Sequence, residues 1–473
     1  MVFADLFFLY ILLPICLITY FAARSLKAKN IVLIVFSLLF YAWGEPIYVL
    51  LLVFSSLLNW FVGLLIGRFR NTKTATICLG IGIVINLGLL LVFKYTGFFV
   101  ENINALLNLS IPIPEIRLPI GISFFTFQAV SYIIDCYWET VEVQYKYHKF
   151  LLYLSLFPQL IAGPIVRYSV VEKEIDNRSV TINDLCEGAQ RAILGLAKKV
   201  IIANNLYSIV DNYFGNDISG LSFLGTWFVV IVYSLYVYYD FSGYSDIAIG
   251  LGRMFGFHFD ENFTHPFVCK TIAEFWQCWH ISLGSFFRDY LLYVPIMGRS
   301  RKYLNLFLVW FSTGLWHGAS WNYIIWGLYF GFFIFFEQKL GKKRIKKWPI
   351  WWKHIYSKIV IVIGFGIFYF ENMGQLGLFF RNIFGISTIM GKTAFADPMT
   401  WGSLVNNIFL VIVAIVCSMP ILPKLKSIVL NSYDDRVYTT GRYLALAGCV
   451  VLLLVSSILL VNATNNPFLY FRF

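Results

Sequence analysis

The stretch that decides the fold is the apolar run 303–336, which reads YLNLFLVWFSTGLWHGASWNYIIWGLYFGFFIFF. It contains no Asp, Glu, Lys or Arg. A single membrane span needs only about 20 apolar residues, so the run is too long for one straight helix. We expect a break near Gly318 and two helices, with His317 at the break, far from either end of the apolar run.

Apolar runs of this kind recur along the 473-residue chain. The chain is 59% hydrophobic and only 13% charged, whereas soluble proteins average about 25% charged residues. The runs predict an all-α, polytopic membrane protein with roughly ten to thirteen spans in one membrane domain, residues 1–473, without a soluble domain. The runs are 6–23, 47–66, 77–93, 222–239, 303–316, 355–370, 404–419 and 443–461.

The formal net charge of +12 is placed as in a membrane protein. Its cations gather in short loops, a pattern typical of cytoplasmic loops between spans. This placement argues against nucleic-acid binding and favours membrane lipid as the surroundings. The loop cations are Arg24, Lys27, Lys29, Arg68, Arg70, Lys73, Arg299, Arg301, Lys302 and the cluster 339–347.

Glycine and proline interrupt the apolar runs in the middle third of the chain. Backbone groups released by such breaks must be buried in protein or line a wet cavity. The cluster favours a site inside the membrane body, although kinks and close helix packing are the alternative for each single residue. The interrupting residues are Pro119, Gly121, Pro158, Gly163, Pro164, Gly243, Gly250 and Gly252.

His317 has two interpretations from the pattern alone. An ionisable side chain inside a membrane segment is costly, which makes it a candidate functional residue. The alternative is a neutral histidine that is hydrogen-bonded between helices. The two interpretations carry about equal weight at this point.

His280 lies in the aromatic stretch 274–290, EFWQCWHISLGSFFRDY. If the stretch is one helix, Gln277, His280, Gly284 and Arg288 form a narrow stripe on one face. An interfacial amphipathic helix explains the same pattern and is somewhat favoured by the stripe alone.

The segment 240–246, DFSGYSD, inserts Asp240, Ser242 and Asp246 between two apolar runs. Its carboxylates are candidates for orienting a histidine or binding a cation; a connection at the water interface is the alternative. No GxSxG, HExxH, Walker A or dinucleotide motif occurs, and the eight scattered cysteines give no support for a metal site.

Two intramembrane histidines suit acyl transfer. A neutral imidazole can take the proton of a hydroxyl as that hydroxyl attacks an activated acyl group. A second residue can orient the acceptor or stabilise the developing oxyanion. The same residue types also suit proton-coupled transport, and the pattern does not choose between the two.

At these residues the sequence resembles the membrane-bound O-acyltransferase (MBOAT) family. The resemblance is greatest to the branch of the alginate O-acetyltransferase membrane subunit and the peptidoglycan O-acetyltransferases. It runs in order along the whole chain. The similar stretches are Phe40–Glu45, Leu118–Gln128, Leu156–Ile165, Tyr239–Gly252, Glu261–Phe263, Glu274–Tyr290, Trp316–Ala319 and Asn466–Phe473.

The resemblance implies a ring of roughly 11–13 tilted or broken helices around a central tunnel. It also implies that His317 is the catalytic general base and His280 the second catalytic histidine. Gln277 departs from the family pattern, since it and Cys278 stand where a basic pair is expected. No metal is implied. The predicted substrate-binding residues are Asp240, Ser242, Asp246, Gln277, Arg288, Asp289, Trp316 and Asn322.

The function expected from the resemblance is acetyl transfer across a bacterial cell (plasma) membrane. The donor would be cytoplasmic, with acetyl-CoA or an acyl carrier as candidates and no tightly bound cofactor. The acceptor would be an extracellular or cell-wall polysaccharide, reached through an extracytoplasmic SGNH or esterase-like partner transferase. The alternatives are D-alanyl transfer to teichoic acid and a proton-coupled transporter.

Overall fold

The computed structural model describes residues 2–161, 163–294, 301–431, 435–461 and 468. Within these ranges every regular element is a helix, which confirms the all-α prediction. Arg299, Ala162 and the C-terminal stretch Asn466–Phe473, apart from Phe468, lie outside the described residues.

The first of two compact units comprises Met1–Ala192 and Tyr244–Glu261. Gly121 begins one of its helices with a left-handed backbone, φ 78°, so this predicted break is present. The unit contains the helices Phe8–Leu12, Leu13–Ala22, Leu26–Gly44, Tyr48–Arg68, Lys73–Leu107, Ile122–Tyr137, Tyr147–Ser155, Phe157–Leu160 and Tyr168–Asp176, and most of Ile182–Ala197.

The second unit comprises Ile193–Gly243 and Asn262–Phe473. It holds both candidate histidines. Its helices are Lys198–Ala203, Asn204–Phe214, most of Phe223–Met254, Pro266–Val268, Ile272–Cys278, Ile281–Phe287, Arg288–Leu292, Lys302–His317, Trp321–Leu340, Lys342–Lys346, Ile350–Tyr369, Met373–Ile383, Ile386–Ile389, Pro398–Ser418, Ile421–Leu430 and Asp435–Val461.

Eight helices among the described residues are long and apolar enough to cross a membrane, which supports the polytopic prediction. A shorter apolar helix, Phe8–Ala22, precedes them. The ring around a tunnel and the single domain remain predictions. The eight helices are Leu26–Gly44, Tyr48–Arg68, Lys73–Leu107, Ile182–Phe214, Phe223–Met254, Ile350–Tyr369, Pro398–Ser418 and Arg436–Val461.

The helix Phe223–Met254 corrects one expectation from the glycine pattern. Gly243, Gly250 and Gly252 do not interrupt it, because the helix runs unbroken through all three. Instead, a Cβ at Gly250 would lie only 2.5 Å from the carbonyl oxygen of Gly188. Gly243 and Gly250 therefore allow a close approach of neighbouring backbone, and Gly252 makes room for the Phe259 ring. The segment 240–246 is helix interior rather than a connection at the water interface.

Candidate active site

The apolar run 303–336 folds as a helical hairpin. The helix Lys302–His317 ends at His317, Gly318 is extended, and the helix Trp321–Leu340 follows. The predicted break at Gly318 is thus confirmed. A Cβ at Gly314 would collide with the carbonyl oxygen of Tyr323, so glycine allows the two backbones to approach closely.

His317 is buried at the closed end of this hairpin, with 2% of its surface exposed. Aromatic side chains pack edge-on against its ring. The centroid distances are 4.9 Å to Trp316, 4.8 Å to Trp326 and 5.2 Å to Phe368. The imidazole is therefore enclosed by aromatic rings at the end of the helix and is almost fully out of contact with solvent.

Asn322 holds the hairpin against the helix Ile350–Tyr369. Its fully buried amide nitrogen donates to the carbonyl oxygens of Ile367, at 3.3 Å, and Phe368, at 3.1 Å. The next residue, Tyr323, donates its hydroxyl to Glu371 at 2.8 Å. These contacts hold Asn322 against Phe368, whose ring lies beside the imidazole of His317; its predicted role in substrate binding remains a prediction.

The stretch around His280 is not one continuous helix. The helix Ile272–Cys278 ends before Trp279, His280 has a left-handed backbone with φ 44°, and a new helix, Ile281–Phe287, begins. The predicted stripe of small and polar residues is therefore wrong. Gln277, Gly284 and Arg288 are exposed, whereas His280 is 1% exposed, because the left-handed turn directs it away from their surface.

Asn262 holds His280 in this turn. Its side-chain Oδ1 lies 3.2 Å from His280 Nδ1 and accepts from the backbone N–H and the hydroxyl of Ser282, at 3.2 and 2.9 Å. Its carbonyl oxygen accepts from Ile281 N–H at 3.0 Å. Because an amide oxygen only accepts, Nδ1 of His280 donates, and the neutral ring carries its lone pair on Nε2.

Both histidines lie against the same indole. Trp316 is 4.9 Å from the His317 ring and 5.6 Å from the His280 ring, centroid to centroid. The ring of Phe241 also contacts His280, with 4.6 Å between the two ring centroids. The structure thus brings His317, His280 and Trp316, which the sequence singled out separately, into one aromatic cluster.

Asp240 and Asp246 are each paired with a cation. Asp240 is fully buried, and its carboxylate lies 2.5 Å from the ammonium of Lys199, itself 95% buried. In the first unit, Asp246 accepts from Arg191 at 2.9 and 3.1 Å, and Arg191 also pairs with Glu261. No group of three or more metal-ligating side chains occurs among the described residues.

The remaining predicted substrate-binding residues lie in differing surroundings. Ser242 is buried, 2% exposed. Arg288 donates to the carboxylate of its neighbour Asp289 at 2.7 and 3.1 Å. Both residues lie in the π-helical segment Arg288–Leu292. Arg288 and Gln277 are exposed at the protein surface, whereas His280 and His317 are buried.

Sequence reasoning missed several residues that shape the site. Lys199, Asn262, Trp326 and Phe368 received no role, although Asn262 belongs to a stretch that resembles the family. Trp326 lies four positions after Asn322 on the same helix, a spacing that places both on one face. Lys199 and Phe368 are distant in sequence from the residues they contact, so no local signal points to them.

Comparison with known proteins shows the family of the chain. Residues 139–373 match the model of the membrane-bound O-acyltransferase family, MBOAT. The chain is 37% identical over 401 residues to a probable alginate O-acetylase of Pseudomonas aeruginosa, covering 82% of this chain and 76% of that protein. A probable alginate O-acetylase of Pseudomonas putida is 34% identical over 498 residues, covering 100% of both chains.

A third relative is named for peptidoglycan rather than alginate. The chain is 36% identical over 361 residues to a peptidoglycan O-acetyltransferase of Helicobacter pylori, covering 68% of each chain. The chain belongs to the membrane-bound O-acyltransferase family. It is a multi-pass membrane enzyme, an O-acyltransferase of the O-acetylating branch.

Proposed function

We propose that this enzyme moves an acetyl group from a cytoplasmic donor, acetyl-CoA or an acyl carrier, across a bacterial plasma membrane. The acetyl group serves the O-acetylation of an extracellular or cell-wall polysaccharide. The names of the relatives, alginate O-acetylase and peptidoglycan O-acetyltransferase, support this acceptor class. All of these relatives are bacterial, which supports the proposed membrane.

The observation that carries the proposal is the buried imidazole of His317 at a helix break. In the proposed reaction His317 removes the proton from an acceptor hydroxyl. The hydroxyl oxygen forms a bond to the acetyl carbonyl carbon, and the carbon–sulfur bond of the thioester breaks. The proton then passes from His317 to the leaving thiolate, which leaves a neutral histidine for the next cycle.

His280 acts beside this base in the proposal. Its Nδ1 proton is directed at Asn262, at 3.2 Å, and its lone pair is on Nε2. That nitrogen suits accepting a hydrogen bond from the acceptor hydroxyl and so orienting it. Trp316, in contact with both rings, sets the spacing between the orienting and the proton-accepting histidine.

The final acceptor step is assigned to a partner. We infer a separate extracytoplasmic transferase of the SGNH or esterase-like type, because the family resemblance implies such a two-part system. This partner would receive the acetyl group on a serine hydroxyl and pass it to the polymer. The acetyl-CoA donor and the partner both rest on the resemblance.

The proposal is tested by polymer acetyl content in cells that carry wild-type protein, His317→Ala or His280→Ala. His148→Ala serves as the matched control, because this partly buried histidine lies in the first unit. Membrane levels of each variant are measured in parallel. We expect His317→Ala to abolish acetylation at normal protein level and His148→Ala to leave it intact. Unchanged acetate in His317→Ala would remove this residue from the catalytic role.

D-alanyl transfer to teichoic acid is the alternative within the family. A teichoic acid D-alanyltransferase of Bacillus subtilis is 31% identical but matches only 44% of this chain. Measuring ester-linked acetate and ester-linked D-alanine in the same cells separates the two. A proton-coupled transporter would show proton uptake without either ester.

A further inference from the structure

The hairpin that carries His317 also forms a groove at its opposite, open end. The groove encloses about 280 Å³, close to the lower size of ligand pockets, about 300 Å³. Its floor is buried and its walls are half exposed aromatic side chains. The lining residues are Tyr303, Leu306, Phe307, Trp310, Leu328, Gly331, Phe332 and Phe335.

Gly331 gives the groove its depth. A Cβ at this position would lie 2.8 Å from the Cβ of Trp310 on the facing helix, so the two helices touch at the groove floor. Leu306 and Trp310 are 6% and 7% exposed, while Phe307 and Phe332 are 50% and 61% exposed. This profile, an apolar channel with a tight floor and aromatic walls, fits a hydrocarbon chain.

Two lysines stand at one end of the groove beside a single aromatic ring. The ammonium of Lys339 is 4.7 Å, and that of Lys302 5.8 Å, from the ring centroid of Tyr303. Both lysines are exposed. Both positive charges therefore lie beside the same ring at the groove end, which favours an anion there.

Neither Lys302 nor Lys339 forms an ion pair with an acidic side chain in the part of the chain that the structure describes. Between Asp289 and Glu371 the only acidic residue is Glu337. Its carboxylate is buried and accepts from the backbone N–H groups of Ile272 and Ala273, at 2.7 and 2.9 Å. An anionic group from outside the chain is therefore the complement that the lysines suit.

We propose that this groove binds one anionic phospholipid of the surrounding bilayer. One acyl chain lies along Leu306, Trp310 and Gly331, and the headgroup phosphate lies at Lys302 and Lys339. Basic pockets between membrane helices recognise anionic headgroups in this way. This lipid site lies on the hairpin that carries His317 and does not depend on the acetyl-transfer proposal, because none of the reacting groups belongs to it.

The test uses the full-length protein in nanodiscs of equal parts phosphatidylglycerol and phosphatidylcholine. Lipids retained after extraction are counted by native mass spectrometry. We expect wild-type protein to retain one phosphatidylglycerol in preference to phosphatidylcholine. In the double variant Lys302→Gln, Lys339→Gln that preference should fall about 10-fold or more. Equal retention of both lipids by wild-type protein would overturn the proposal.

Two further variants separate a built site from a generally basic surface. Lys343→Gln with Lys346→Gln removes the same charge from the neighbouring exposed helix Lys342–Lys346, and we expect it to keep the preference. Leu328→Trp fills the groove while leaving both lysines, and we expect it to lose the retained lipid with an unchanged unfolding temperature. The proposed lipid site would be refuted if the Lys343, Lys346 variant lost the preference for phosphatidylglycerol, or if Leu328→Trp retained the lipid fully. Either result would indicate surface electrostatics alone.

Discussion

His280 and Trp316 lie 5.6 Å apart, ring centroid to ring centroid, although they belong to different helical segments. The same indole lies 4.9 Å from His317. Trp316 thus contacts both imidazoles, and we expect its size to act as a spacer between the two rings. A change in that spacing should alter the reaction without changing either imidazole.

Trp316→Ala is therefore expected to lower acetyl transfer by about 10- to 100-fold, because a displacement of about 1 Å of a catalytic group can cost about 100-fold. Trp316→Phe should retain more activity, since a smaller ring still separates the histidines. Acetyl release from the donor, normalised to folded protein, measures the effect. Trp351→Phe, at a largely exposed tryptophan, is the control. Equal activity of Trp316→Ala and wild-type protein would contradict the spacer role.

Asn262 is expected to act through His280. Asn262→Ala removes the acceptor of His280 Nδ1 and of Ser282, which frees the ring to rotate and leaves a buried N–H without its partner. The expected cost in unfolding free energy is about 1–3 kcal/mol. We expect the turnover number to fall more than the Michaelis constant changes. In an Asn262→Ala, His280→Ala double variant, activity should equal that of His280→Ala alone. A further loss in the double variant would show that Asn262 acts independently.

The buried ion pair of Asp240 and Lys199 predicts an asymmetric stability effect. Asp240→Asn leaves the buried ammonium of Lys199 without its counter-charge, and breaking such a pair costs about 3–5 kcal/mol. Asp240→Asn with Lys199→Met removes both charges and should recover most of this loss. Thermal unfolding of purified protein in detergent compares the variants. If the double variant is no more stable than the single one, the loss of stability in Asp240→Asn does not come from the uncompensated charge of Lys199.

Glu337 supports the helix that leads to His280. Its two carboxylate oxygens accept from Ile272 and Ala273 at the start of the helix Ile272–Cys278. In Glu337→Gln one of these N–H groups loses its acceptor, so we expect a destabilisation of about 1–3 kcal/mol. Thermal unfolding of the purified variant measures this destabilisation. Glu101→Gln, at an exposed carboxylate on the helix Lys73–Leu107, should melt like the wild type. Equal melting of the Glu337 and Glu101 variants would refute the capping role.

The spans and the hairpin were predictable because both depend on local properties of the chain. Each of the runs 47–66, 77–93 and 404–419 became a helix of the expected kind, namely Tyr48–Arg68, Lys73–Leu107 and Pro398–Ser418. The break at Gly318 followed from length alone, since one helix cannot extend an apolar run indefinitely through a bilayer.

The geometry of His280 was not predictable in the same way. Helical periodicity placed Gln277, His280 and Arg288 on one stripe, yet the chain turns left-handed at His280. The side chain of Asn262, from a separate segment, accepts the backbone N–H of Ser282 and contacts Nδ1 of His280. A partner outside residues 274–290 cannot be predicted from the periodicity of those residues.

The amino-acid sequence by itself determined the membrane class, the helical spans and the position of His317 at a break, because hydrophobic length and glycine placement act over neighbouring residues. Only the tertiary structure decided that Trp316 contacts both His280 and His317, that Asp240 pairs with Lys199, and that Asn262 holds His280. Those relationships join residues distant in the chain, and they arise from burial and hydrogen bonding that exist only after the helices have packed.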